Sequence, residues 1–226
     1  MMIVNDSTLT RSDLLRLLAQ PQPVSQFNRC SFDGQGLGGL DLRNIRFTAC
    51  SLVGAQFVRS TLSETEWDRC KIGLGDFELA DLTVAQFMGC DLHMTKWARS
   101  RLSSATISDS KLTGASFQEV HALGLTLRGC RLVGAGLQGM SFRKQTLEQL
   151  DFSDADLGGC DFRDAVFNGG SLRGASLKAA RFQGADLRSA DLGSITVYDL
   201  TTSLKGSVIS AEQAEQLIAS LDVRVL

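Results

Sequence analysis

The 226-residue chain is poor in several residue types that usually advertise function. Only two prolines occur, Pro21 and Pro23, so the remainder can run as an unbroken array whose tight corners suit the 22 glycines. His93 and His121 are the only histidines, and neither has partners at metal-site or catalytic-triad spacing. No Cys-x-x-Cys pair is present, which removes the usual zinc and redox motifs. No 18 consecutive apolar residues occur, and the first residues lack a basic stretch followed by an apolar run and cleavage site, so the expectation is a cytoplasmic chain with no membrane partner. Charge is nearly balanced at −2, which predicts no general affinity for nucleic acid or anionic lipid.

What is present is a period of five. Every fifth position from Phe27 to Val197 is Phe, Leu, Ile, Val or Trp at 34 of 35 sites, with Ala122 the exception. All twelve Phe and both Trp, Trp67 and Trp97, lie in this column. A second column, two residues earlier, is mostly small and holds Ala55, Ala80, Ala105, Ala155 and every cysteine. Cys30, Cys50, Cys70 and Cys90 recur every 20 residues. The cysteines read as buried thiols that fill space, poorly aimed at one another for disulfides.

Neither the 3.6-residue helical period nor the 2.0-residue strand period keeps a five-residue column on one buried side. If each pentad forms a flat side followed by a corner, four make a square coil of 20 residues, and coils stack at about 4.8 Å. Phe27, Phe47, Trp67 and Phe87 then form one inner stack, and Phe57, Phe77, Trp97 and Phe117 the opposite one. The expected fold is an all-β solenoid whose ends need caps.

Residues 1–24 lie outside the register and read as an N-terminal helical cap, begun by Thr10 or Ser12 and carrying Leu14, Leu15, Leu17 and Leu18. The repeat array spans 25–202, with irregularities expected at His121–Leu127, where Ala122 interrupts the column, and at 140–150, where Met140, Gln145 and Leu150 occupy small positions. Residues 203–226 read as a helix opened by the capping box Ser210–Gln213, then a short strand. The apolar positions Ala214, Leu217, Ile218, Leu221, Val223 and Val225 are expected to lid the last coil and to pair with a second copy as a homodimer.

The repeats, for instance Gly114-Ala-Ser-Phe117 and Gly184-Ala-Asp-Leu187, resemble those of pentapeptide repeat proteins, which implies a right-handed quadrilateral β-helix with short terminal helices. Ala122-Leu-Gly-Leu-Thr-Leu-Arg-Gly-Cys-Arg131 is similar to a mid-chain segment of the Qnr proteins, and Glu215–Val225 resembles the terminal dimerising helix and strand of the Qnr, MfpA and AlbG group. That resemblance implies a non-catalytic partner of DNA gyrase or topoisomerase IV that protects it from quinolones or a natural poison. Qnr proteins of Gram-negative bacteria carry external loops, whereas this register is uninterrupted, as in MfpA.

A rod of duplex-like width could act by partial DNA mimicry if it offered carboxylates to a basic saddle. Two acidic bands stand out. Glu64, Glu66, Asp68, Asp76, Glu78, Asp81 and Asp91 stand against Arg69 and Lys71 over 60–92, net −5. Glu148, Asp151, Asp154, Asp156, Asp161 and Asp164 stand against Arg163 over 148–164, also net −5. Two dinucleotide-like motifs, Gly34–Gly39 and Gly134–Gly139, each contain an in-register core Leu and are declined, as is Ser108-Asp-Ser-Lys111. No cofactor, metal or direct nucleic-acid contact is expected, and a solid core leaves no evident substrate cavity. The alternative is a structural or scaffolding solenoid that mediates other protein–protein contacts; an enzyme ranks third.

Overall fold

The computed structural model describes residues 2–193 and 195–219. The chain divides into two compact units at residue 130. In the first, strands β1 (Met2–Asn5), β2 (Val24–Asn28), β3 (Arg46–Thr48), β4 (Glu66–Asp68), β5 (Gln86–Met88), β6 (Thr106–Ser108) and β7 (Thr126–Arg128) pair in parallel, each with the next. From β2 onward equivalent residues are 20 apart, as in Phe47 opposite Trp67. The other sides of the coil pair through single parallel bridges at the same interval, such as Ser51 with Lys71, Gln56 with Asp76 and Thr61 with Asp81. The second unit repeats the geometry with β8 (Thr146–Glu148) and β9 (Val166–Asn168). This is the parallel β-solenoid expected from the pentads.

The sides are numbered here from the strands. In the first unit the first side centres on Phe27, Phe47, Trp67 and Phe87, the second on Phe32, Leu52, Ile72 and Leu92, the third on Leu37, Phe57, Phe77 and Trp97, and the fourth on Leu42, Leu62, Leu82 and Leu102. These side chains are buried and fill the interior. Phe47 and Trp67 stack at 4.2 Å between centroids and Phe77 and Trp97 at 4.3 Å, while rings on opposite sides meet edge to face, as Phe57 and Trp67 do at 5.7 Å. The second unit has its own stack, Phe142–Phe162–Phe182, at 5.0 and 4.7 Å. Each indole N–H is matched from two residues upstream: Trp67 donates to Thr65 Oγ1 at 2.9 Å and Trp97 to Thr95 Oγ1 at 2.8 Å. Buried polar hydrogens need such partners.

Each unit closes its outer rim with its own chain. In the first, β1 pairs with β2, and Leu9 N–H donates to Ser31 O at 2.9 Å beside it. Helix α1 (Arg11–Leu18) starts at Thr10, whose hydroxyl accepts from Asp13 N–H, and it buries Leu14. The Arg11 guanidinium donates to the carbonyls of Gly36 and Gly38, satisfying a third side. In the second unit, Gly206–Val208 pairs with the last coil. Helix α2 (Val197–Thr201) intervenes, and α3 (Ala211–Ala219) follows. Ser210 and Gln213 form the capping box, and Gln213 Nε2 donates to Leu187 O and Ala190 O at 2.9 and 2.8 Å. No helix among the described residues is long and apolar enough to cross a membrane.

Four expectations are corrected. The coil does not bend at Ala122: Thr126–Arg128 pairs with Thr106–Ser108 in normal register, and Arg101 bridges His121. The missing volume is offset by buried Leu125, which occupies a position usually small. Residues 140–150 keep the regular trace as well: Leu150 is buried in its usually small position, and the backbone of Gly170, one coil on, lies so close that a Cβ there would be 2.2 Å from Leu150 O. The buried column ends at Leu192, and Val197, counted as its last member, is 37% exposed at the start of α2. The N-terminal segment holds a strand besides its helix, β1 being too short to show a period.

Candidate protein interface

In each pentad the central residue and the one two before it point inward, so any chemistry offered to a partner comes from the residues flanking the centre and from the corner residue. That rule places every acidic candidate. Glu66, Asp68 and Glu148 lie on the first side, Asp91 and Asp151 on the second, Asp76, Glu78 and Asp156 on the third, and Asp81 and Asp161 on the fourth. Asp154 is the corner after a second side, and Glu64 and Asp164 are corners after fourth sides. Two bands continuous in sequence are thus distributed round all four sides of the coil.

Many of the carboxylates are also answered by basic side chains. Arg46 pairs with Glu66 at 2.6 Å, Arg69 with Asp68 at 2.8 Å, and Arg99 with Glu78. Arg101 lies 3.9 Å from Asp81, and His93 Nδ1 2.8 Å from Asp91 Oδ1. In the second unit Arg143 lies 3.8 Å from Asp164, and Asp161 is held by Arg163 at 2.7 Å and Arg181 at 3.2 Å. Asp161 is the one charged residue buried among those described, and the hydrogen bonds from Arg163 bring its pKa down to about 2 against the opposing cost of burial. It is a structural carboxylate, unavailable to a partner.

Three exceptions lie on one coil. Among the described residues Asp151, Asp154 and Asp156 make no ion pair, although Arg131 bridges Asp151 through the backbone. Asp151 Oδ1 accepts from the Ser153 amide and hydroxyl at 3.1 and 2.6 Å, and Asp156 accepts from Gln138 Nε2 at 2.7 Å and Gly158 N–H at 3.0 Å. These neutral donors leave the negative charge in place while fixing its direction. Asp154, exposed at the corner between the other two, leans over Gly174. In the first unit Glu64 and Asp76 also lack ion pairs but stand on different sides.

The six cysteines are buried free thiols; burial pushes Cys160 up to about 12 and Cys130 upward. Gly34–Gly39 and Gly134–Gly139 are ordinary pentads with Leu37 and Leu137 buried, and no group of three or more His, Cys, Asp or Glu among the described residues could hold a metal. Of the positions proposed for dimerisation, Leu217 is buried, Ala214 half-buried and Ile218 exposed; Leu221, Val223 and Val225 lie outside the described residues. Arg11 was not singled out from sequence, and Gln213 only as part of the capping box, since nothing in their local pattern reveals a carbonyl 23 to 27 residues away.

Two family models match this chain. Pentapeptide repeat region covers 24–97, and Pentapeptide repeats (8 copies) covers 85–121, 124–164 and 155–193. The chain belongs to the pentapeptide repeat family. Among solved structures it is similar to QnrB1, described as a plasmid-mediated fluoroquinolone resistance protein. The full-length form has a TM-score of 0.59 at 20% identity over 98% of this chain and 97% of that one. A trypsin-treated variant of QnrB1 has a TM-score of 0.60 at 22% identity over 90% and 98%. At such identities the likeness is one of fold. No curated protein matches by sequence.

Proposed function

We propose that this pentapeptide repeat protein is a non-catalytic, cytoplasmic partner of a type II topoisomerase, DNA gyrase or topoisomerase IV or both, and protects it from quinolones or a natural topoisomerase poison. The fold likeness to QnrB1 and the Ala122–Arg131 segment support the reading. The observation that carries it is the Asp151–Asp154–Asp156 corner, where three carboxylates stand without an ion pair, Asp151 and Asp156 oriented by neutral donors and Asp154 exposed between them, toward a basic partner surface. DNA mimicry is then local to that corner, because the other acids are scattered or paired. The protein acts as a homodimer through Ala214, Ile218 and the residues that follow, with Leu217 serving the cap.

The test is gyrase supercoiling in the presence of ciprofloxacin, with the wild-type protein and with Asp154→Lys/Asp156→Lys. Wild type should restore supercoiling and the double variant should need at least tenfold more protein. Absence of any effect of wild type on supercoiling, cleavage or binding would favour the scaffolding role instead.

A further inference from the structure

Each side of a coil bonds to the coil before it through backbone groups at fixed places, and the first coil has none before it. On the fourth side of the second coil, Thr61 N–H donates to Leu40 O at 2.9 Å, Thr61 O accepts from Leu42 N–H at 2.8 Å and Ser63 O from Asn44 N–H at 3.2 Å. The matching groups of the first coil are Asp41 N–H, Asp41 O and Arg43 O, and no hydrogen bond from the described residues reaches them. On the third side Gly36 N–H is equally bare, whereas Gly36 O and Gly38 O are taken by the Arg11 guanidinium. One coil on, the same two carbonyls belong to Gln56 and Val58 and accept from Leu37 N–H and Gly39 N–H. The guanidinium therefore stands where two amides of a missing coil would.

The rim has a step. β1 and Ser7–Leu9 add one backbone layer to the first and second sides, and the third and fourth have none. A two-fold axis through the corner between the second and third sides carries the first side onto the fourth and the second onto the third. Two copies so related would set the raised half of each into the low half of the other, their strands antiparallel and about 4.8 Å apart. What occupies the low half instead is α1. Arg11 N–H donates to Gln35 Oε1 at 3.0 Å, Leu14 is buried, and Leu15 and Leu18 stand with Leu40 and Ile45 around a groove of about 640 Å³ beside Asp41 and Arg43. A helix is about 10 Å across, twice the strand spacing, so no second rim reaches the bare groups while it lies there. The segment that returns from α1 to β2 carries Pro21 and Pro23, which have no N–H to offer the rim.

We infer that α1 is a strap, fastened by Arg11, that keeps this rim from pairing with a second copy of the chain. Loss of that one side chain does two things at once: it strands Gly36 O and Gly38 O, and it loosens the helix that covers the fourth side.

The experiment uses the full chain carrying Arg11→Met, which keeps an unbranched stem and removes the donors. Sedimentation should show a species of twice the wild-type mass, with self-association at least tenfold tighter than in wild type and an unchanged far-UV circular dichroism spectrum. Adding Gly36→Pro, where a Cβ would meet nothing within 4 Å, removes a bare rim N–H and should restore the wild-type mass. Arg11→Met that sediments as wild type does at every concentration would overturn the strap. Association that survives Gly36→Pro would point to exposed apolar side chains in place of the rim, and an altered circular dichroism spectrum would assign Arg11 to folding; either also overturns it.

Discussion

Asp161 offers the most direct test of how the coil handles charge. Its carboxylate accepts from Arg163 Nε and Nη2 at 2.9 and 2.7 Å, from the Arg163 amide at 3.2 Å and from Arg181 Nη2 at 3.2 Å, and its side chain is 10% exposed. These bonds favour the charged form and lower the pKa from 3.8 to about 2. At 1.36 kcal/mol per pKa unit, ionisation contributes about 2 kcal/mol to the folded state. Because the folded value lies below the unfolded one, that stabilisation is complete above about pH 4, declines as the pH falls toward 2, and is absent below. Asp161→Asn keeps the volume and removes the charge. Its deficit relative to wild type should therefore be about 2 kcal/mol at pH 7 and vanish near pH 2, the titration of all other carboxylates cancelling in the difference. Both tryptophans lie in the first unit, so fluorescence reports the wrong part of the molecule. Hydrogen exchange of amides in residues 155–185 across pH reports the right one. A deficit equal at pH 7 and pH 2 would show that packing and not charge is involved, and one below about 0.5 kcal/mol would place the pair among ordinary surface salt bridges.

Two further substitutions test the interior. Thr65→Ala strands the buried Trp67 indole N–H and should cost about 1–3 kcal/mol in urea unfolding followed by tryptophan fluorescence, with Thr65→Ser recovering most of it; no loss in the alanine variant would refute the pairing. Gly170→Ala, at φ +84° with its Cβ 2.2 Å from Leu150 O, should cost about 2 kcal/mol or more by hydrogen exchange of amides in residues 155–185, whereas Gly34→Ala, at φ +67° with open space, should cost about 1 kcal/mol in urea unfolding followed by tryptophan fluorescence. Equal losses would mean that Gly170 is there for its backbone angle alone and not to make room beside Leu150.

The fold was legible because it is repetitive. A column that repeats every fifth residue admits few geometries, and the cysteine interval of 20 identifies the number of sides. Two of the expectations that failed share a cause: each treated odd residues as a local event. Ala122 and Leu150 are odd only within their pentads. In the coil Ala122 is followed three positions on by the buried Leu125, and Leu150 is itself buried with the backbone of Gly170 packed against its own one coil on. The end groups were illegible for a related reason. Arg11 and Gln213 satisfy carbonyls of coil rims, and which rim residue needs a donor depends on how the terminal segment crosses it.

Charge obeys the same geometry, which explains why the acidic bands did not survive as bands. Consecutive pentads face different directions, so closeness in sequence beyond three or four residues says little about a shared surface. Within the coils, ion pairs join residues one or two apart, as Asp68 and Arg69 or Asp161 and Arg163, or 18, 20 or 21 apart on stacked coils, as Arg173 with Asp191, Arg46 with Glu66 and Arg99 with Glu78. Asp154 and Asp156 have no basic residue at any of those intervals: positions 134, 136, 174 and 176 are Gly, Gly, Gly and Ser, and 138 is the neutral Gln138. Arg173, 19 residues beyond Asp154, is turned to Asp191. The charge of the two aspartates is free because the surrounding coils supply nothing to answer it. Asp76 fails the same criterion, with Lys96 directly above it, yet it makes no ion pair among the described residues; spacing identifies possible partners and side-chain direction selects among them. A partner that reads charge on this solenoid therefore meets a few uncompensated positions and not an acidic surface, and reversal at Asp154 and Asp156 should weigh more than reversal at the seven acids of the longer band combined.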